Sequence, residues 1–141
     1  MDLNLTGKIA LVTGATSGVG SEIAQNLAAE GASVAVNYRS SGEEADALVK
    51  DIIAKGGKAK AYKADVADFA AVQAMVENIV KDFGGLNILI NNAGLAIRQR
   101  FVETKPDDWR RRIPAGSPGR CSASAAVSVW FDGRLPCCTP I

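Results

Sequence analysis

Histidine is absent from the 141 residues. That removes Ser–His–Asp triads, histidine-ligated metals and an imidazole general base together. Cysteine is scarce: Cys121, Cys137 and Cys138 all lie in the last part of the chain, and their spacing makes no metal motif. No apolar run approaches the roughly 20 residues needed to span a bilayer. No basic stretch followed by a long apolar one marks the first residues as a secretory leader. The net charge is only +1, so no broad field draws the chain to nucleic acid or to an anionic membrane. These absences lead to the expectation of a soluble cytoplasmic protein with neither nucleic acid nor membrane as a partner. Aromatic residues are few, while Ala, Val, Ile and Gly dominate. That composition suits an α/β fold with helices packed on a parallel sheet, and the length suits one domain.

Residues 8 to 112 read as alternating strands and helices. Lys8 to Thr13, Ser33 to Asn37, Lys58 to Ala64 and Asn87 to Ile90 are short, largely apolar or alternating runs that predict four strands. Between them, Gly18 to Glu30 predicts a helix stopped by Gly31. A second helix begins at Gly42, with Ala45, Leu48, Val49, Ile52 and Ile53 on one face, and ends at Gly56-Gly57. Asp68 is placed to cap a third, whose buried stripe is Val72, Val76, Ile79, Val80 and Phe83, with Gly84-Gly85 as its stop. Strand, helix, strand at this spacing implies a doubly wound parallel sheet, incomplete at four recognisable strands, in a Rossmann-type domain over residues 1–112. After Arg112 the character changes. Residues 113–141 hold no lysine, one acidic residue (Asp132), four of the five prolines and all three cysteines. They are read as a divergent, irregular tail.

Chemistry concentrates at strand ends. The first strand runs into Thr13-Gly14-Ala15-Thr16-Ser17-Gly18-Val19-Gly20 and then a helix. Glycines there let the backbone turn tightly and approach a pyrophosphate, while the helix N-terminus offers unpaired N–H groups. Thr16 and Ser17 add hydroxyl donors. The second strand ends in Asn37-Tyr38-Arg39-Ser40. An acidic residue near this point suits the ribose 2′-OH of NAD, whereas an arginine suits the 2′-phosphate of NADP. Arg39, helped by Ser40, therefore favours NADP over NAD, the alternative being a solvated surface charge. Two roles are open to Asp65 at the end of the third strand: acceptor for an adenine amino group, or cap of the next helix, for which Asp68 is better placed. Asn91-Asn92-Ala93-Gly94 follows the fourth strand as either a site segment or a plain turn. Arg98, Gln99 and Arg100 come next and receive no role.

Together these motifs resemble the short-chain dehydrogenase/reductase family. Thr13-Gly14-x-x-x-Gly18-x-Gly20 is similar to its cofactor motif, Asp65-Val66 to its adenine-contacting pair, and Asn91-Asn92-Ala93-Gly94 to its N-N-A-G segment. The resemblance covers about residues 5–112, and Val36-Asn37-Tyr38-Arg39-Ser40 is closest in wording to β-ketoacyl-carrier-protein reductases and glucose-dehydrogenase-like members. It implies an NADP(H)-dependent oxidoreductase acting on a carbonyl or alcohol, a 3-oxoacyl thioester or a sugar. The implied cofactor residues are Gly14, Thr16, Ser17, Gly18, Val19, Gly20, Arg39, Ser40, Asp65, Val66, Asn91, Asn92, Ala93 and Gly94. The resemblance also implies that the asparagine segment steadies the central sheet, and that members are usually homo-oligomers.

What the family uses for proton transfer is missing. Its Tyr-x-x-x-Lys pair has no counterpart: Tyr38 is followed at the fourth position by Gly42, and Tyr62 by Val66. The family's asparagine in an Asn-x-x-Gly context is expected after Trp109-Arg110-Arg111, where the chain runs Arg112-Ile113-Pro114-Ala115-Gly116 instead. No catalytic residue is assigned. The alternative to that oxidoreductase is a truncated member lacking its oligomer-contacting helices, either an inactive nucleotide-binding fragment or a non-functional product of a damaged gene. A reading-frame shift near codon 112 accounts for both the break and the missing pair. Reading the gene's nucleotides past that codon should reveal the shift, and an intact frame running smoothly into the tail would refute it.

Overall fold

The computed structural model describes residues 3–94. The basic Arg98–Arg100 loop, the break at Arg112, the tail and all three cysteines lie outside the described residues. Four strands, β1 (Ile9–Val12), β2 (Ser33–Tyr38), β3 (Lys58–Lys63) and β4 (Ile88–Ile90), alternate with three helices, α1 (Gly18–Ala29), α2 (Gly42–Ala54) and α3 (Phe69–Phe83). The strands form one sheet in the order β3-β2-β1-β4, and every pairing is parallel. Because β2 lies on one side of β1 and β4 on the other, the chain changes direction across β1. This is the switch point of a doubly wound sheet, and it opens a crevice at the carboxyl ends of the strands.

β1 is apolar at every position because both of its faces are covered. Leu11 joins Ala35, Tyr62 and the α3 residues Val72, Met75, Val76 and Ile79 on one side. Val12 joins Val34, Val36 and the residues of α1 and α2 on the other. Each fully buried Leu, Ile or Val on these faces contributes about 1.5–3 kcal/mol. α1 meets the sheet through Gly20, Ala24 and Ala28, a four-residue repeat of small side chains that lets the helix axis lie close. β3 forms one margin. Its outward Lys58, Lys60 and Lys63 discourage pairing with another chain. The three apolar residues of β4 are each only half-buried.

The helical stripes differ in detail from the sequence expectation. α2 buries Ala45, Leu48 and Ile52, but Ile53 is 54% exposed. Successive residues rotate by about 100°, which carries Ile53 past the edge of the stripe that Leu48 and Ile52 define. α3 buries Met75, which the expected stripe omitted, while Val80 and Phe83 are only partly covered. Asp68 does cap α3, its Oδ1 accepting from the Ala70 and Ala71 N–H groups at 3.0 and 3.2 Å. Gly84, at φ 90°, closes the helix. Among the described residues, no helix is long and apolar enough to cross a membrane.

α3 is also tied to the β3 margin by a polar clamp. The Asp82 carboxylate accepts from Lys60 Nζ and from the Tyr62 hydroxyl, each at 2.7 Å, and the Lys60 ammonium lies 5.7 Å from the Tyr62 ring centre. The hydrogen bond from Lys60, then that from Tyr62, holds the Asp82 carboxyl below its ordinary range. Burial first, then the Asp82 contact, pushes the Tyr62 phenol well above its ordinary range. A lowered carboxyl contributes stability above its unfolded pKa, and that contribution is lost as pH falls through the folded value. A raised phenol contributes stability below the ordinary tyrosine value and loses it as pH rises toward the folded one. Urea-unfolding midpoints should therefore fall on acidification below about pH 4, and less steeply in Asp82→Asn. Parallel acid limbs in the two proteins would show that the clamp is not the group titrating there.

Candidate cofactor site

The loops that follow the four strands surround one cavity of about 600 Å³ at the carboxyl edge of the sheet. That is within the roughly 300–1,000 Å³ usual for small-molecule sites. Gly14, Thr16 and Ser17 line it from the β1–α1 loop, and Tyr38 to Ser41 from the end of β2. Ala64 to Ala67 line it after β3, and Asn92, Ala93 and Gly94 after β4. Sequence-predicted residues from all four strand ends are thus brought to a single space. Gly18, Val19, Gly20 and Asn91 do not line it.

The β1–α1 loop is held from both sides by asparagines. Asn37 Oδ1 accepts from the Gly14 N–H at 3.2 Å, and the Asn37 main-chain carbonyl accepts from the Ala15 N–H at 3.0 Å. Across the loop, Asn92 Nδ2 donates to the carbonyls of Thr13 and Gly14 at 3.0 and 2.9 Å. Thr13 Oγ1 completes the joint, accepting from the Asn92 and Ala93 N–H groups at 3.1 Å each and donating to the Ile90 carbonyl at 3.3 Å. The Gly14 and Ala15 amides are therefore committed to Asn37. Donors for a bound anion have to come from later amides and from the Thr16 and Ser17 hydroxyls.

Each glycine has a distinct task. Gly14, at φ 60°, lets Ala93 approach: a Cβ there would lie 2.9 Å from Ala93 Cα. Gly20 is buried under the loop, where a Cβ would meet Asn92 Nδ2 and, at 2.8 Å, the Gly14 carbonyl oxygen. Gly18, at φ 56°, faces open space, with no heavy atom within 4 Å of a Cβ built on it. It sits at the start of α1, whose Ser17 N-cap makes no side-chain cap and whose first turn carries no acidic residue. Uncapped amides, a positive helix end and an open cradle suit an anionic group.

Arg39 and Asp65 are the only charged residues among those lining the cavity. Arg39 is exposed, and the ion pairs of the described residues involve only Lys55–Asp51 and Lys60–Asp82. Its guanidinium is thus available to a phosphate as a planar fork. Asp65 Oδ1 accepts from the Ala67 N–H at 2.9 Å, turning the chain toward α3. With Asp68 serving as the helix cap, Asp65 is left as a cavity-lining carboxylate. No group of three metal-ligating side chains occurs among the described residues.

Sequence reading missed Asn37 as a site residue, although it is 2% exposed and borders the cavity. The available signal was an amide ending the apolar run Ser33-Val34-Ala35-Val36, since a polar side chain buried there must find partners. Thr13 was read as part of the motif but not as the pin that joins the β1 and β4 loops.

A family model described as short chain dehydrogenase matches residues 8–132, extending past Arg112. A 3-oxoacyl-[acyl-carrier-protein] reductase FabG of Staphylococcus aureus is 47% identical over 102 residues, 72% of this chain and 42% of that protein. An uncharacterised oxidoreductase of Methylorubrum extorquens is 43% identical over 124 residues, 88% of this chain and 50% of that one. Among solved structures, a short chain dehydrogenase from Burkholderia cenocepacia in complex with NADP superposes with a TM-score of 0.83 at 41% identity, covering 89% of this chain and 51% of that one. The chain spans about half the length of the relatives it matches.

The glycines should separate by substitution. Gly18→Ala adds only left-handed strain, about 1–2 kcal/mol. Gly14→Ala adds that strain and a backbone overlap with Ala93, a further ~1–3 kcal/mol of overpacking. Urea denaturation checks the order, and a Gly14→Ala no less stable than Gly18→Ala would contradict the close-approach role.

Proposed function

Starting from the chain's membership of the short-chain dehydrogenase family, we propose that the cavity holds NADP(H), and that the protein serves an oxidoreductase reaction on a carbonyl or alcohol substrate such as a 3-oxoacyl thioester or a sugar. The observation that carries the cofactor reading is the meeting of an unpaired Arg39, Asp65 and the Thr16 and Ser17 hydroxyls around one cavity, with the uncapped start of α1 following Ser17. The donor set fits the group. Arg39 and Ser40 would hold the 2′-phosphate, Asp65 the adenine amino group, and Thr16, Ser17 and the first turn of α1 the pyrophosphate. Bound NADPH supplies a hydride. The described residues bind and orient the dinucleotide. The Burkholderia relative's NADP complex and the reductase name of the Staphylococcus relative support this reading.

A second reading, nucleotide binding without turnover, is favoured by one observation: among the described residues Tyr38 is the tyrosine that lines the cavity, and no lysine lines it. An assay of NADPH oxidation with an acetoacetyl thioester, or of NADP reduction with glucose, separates the two.

Fluorescence titration tests the cofactor itself. NADPH should bind more tightly than NADH. Arg39→Ala should weaken NADPH by roughly 10–100-fold, as expected for a lost charge-assisted hydrogen bond of about 1.5–3 kcal/mol, and leave NADH nearly unchanged. Equal affinity of the wild type for both nucleotides would remove Arg39 from the site.

A further inference from the structure

We propose that Asn37 is a positioning residue that sets the spacing between the pyrophosphate loop and the adenine wall of the cavity. Its side chain reaches both. Oδ1 accepts from the Gly14 N–H at 3.2 Å, while Nδ2 donates to the Ala64 carbonyl at 3.1 Å and to the Tyr62 carbonyl at 3.4 Å. Nδ2 also lies 3.4 Å from Met75 Sδ, against α3. Gly14 belongs to the loop after β1, and Ala64 immediately precedes Asp65 in the loop after β3. Between them runs β2, so no main-chain hydrogen bond joins those two loops directly.

An amide is the side chain suited to this place. It offers an acceptor on one edge and a donor on the other, fixed in one plane. The carbonyls of Tyr62 and Ala64 require the donor, and the Gly14 N–H requires the acceptor, so the amide's orientation is determined. The Ala15 N–H bond to the Asn37 main-chain carbonyl, at 3.0 Å, makes the same residue hold two successive loop amides. A dinucleotide that spans both walls needs them at a fixed separation, and preorganising that separation lowers the cost of binding. A ligand that touches one wall does not need it.

The inference rests on the cofactor reading above, and its test uses the whole chain with two probes. NADPH spans both walls, whereas adenosine 2′-monophosphate engages only the adenine wall and Arg39. Asn37→Thr keeps similar volume and a strand-compatible shape but cannot serve both walls. Asn37→Asp keeps the acceptor for Gly14 and sets an oxygen against the Ala64 and Tyr62 carbonyls. Both variants should weaken NADPH roughly tenfold, the equivalent of one lost hydrogen bond, with adenosine 2′-monophosphate changing less than about twofold. Unchanged NADPH affinity in a wild type that binds NADPH overturns the role of Asn37 alone. Equal loss of both probes, or failure of both variants to give a cooperative thermal melt, assigns Asn37 to the fold rather than to positioning and overturns it as well. A wild type that binds NADPH but not adenosine 2′-monophosphate at millimolar concentration overturns the two-wall arrangement. A wild type that binds neither NADPH nor NADH overturns the cofactor reading and this inference with it.

Discussion

The peptide groups of Gly14 are held by two asparagines on opposite sides, and the geometry of the site depends on that grip. Asn37, at the end of β2, takes the N–H, and Asn92, past β4, donates to the carbonyl. A strand that ends in a sharp turn leaves main-chain groups without ladder partners, and burying them unpaired costs about 1–3 kcal/mol each. Neighbouring strands supply side-chain amides in place of the lost ladder. The turn is thereby fixed relative to both neighbours, which is why cavity walls from four separate strand ends meet around one space.

The grip requires close packing, and small residues permit it. Gly14 admits Ala93, Gly20 admits the Asn92 amide, and Ala24 and Ala28 let α1 settle on the sheet. Small side chains bury little apolar area, so most of the hydrophobic stabilisation comes from Leu11, Val12, Val34, Val36, Ile52, Val72, Val76 and Ile79 below the site. The division is spatial. Large branched residues fill the two layers against the helices, while glycine, alanine and short polar residues occupy the carboxyl edge where a ligand is to lie. The polar clamp of Lys60, Tyr62 and Asp82 stands apart from the cavity and fastens α3 to the lysine-bearing margin of the sheet.

Polar groups at the edge divide into those that are spent and those that are available. The Gly14 and Ala15 amides, the Thr13 hydroxyl and the Asn92 side chain are consumed in the joint between β1, β2 and β4. The Arg39 guanidinium and the uncapped first turn of α1 are not. A ligand that carries phosphate groups toward both would match this remainder. The Asn92 side chain and the Asn92 and Ala93 amides thus brace the loop after β1.

The order of elements was legible in the sequence because apolar runs, glycine stops and the Asp68 cap are local signals. The glycine loop, Arg39, Asp65 and the Asn92–Gly94 segment were legible because each directly follows a strand. Strand ends moved by a residue or two, since pairing with a neighbour decides them: Tyr38 remains in β2 because it pairs with Lys63. Met75 and Ile53 exchanged expected roles because the width of a buried stripe depends on the surface it meets. The sequence by itself determined the element order, the parallel α/β class and the chemistry carried at each strand end, for these follow from spacing along one chain. Only the tertiary structure decided that Asn37 borders the cavity, that Thr13 pins the β1 and β4 loops together and that the Gly14 and Ala15 amides are already committed. Hydrogen bonds between residues 23 to 80 positions apart leave no periodic trace in the sequence and exist only once the strands lie side by side.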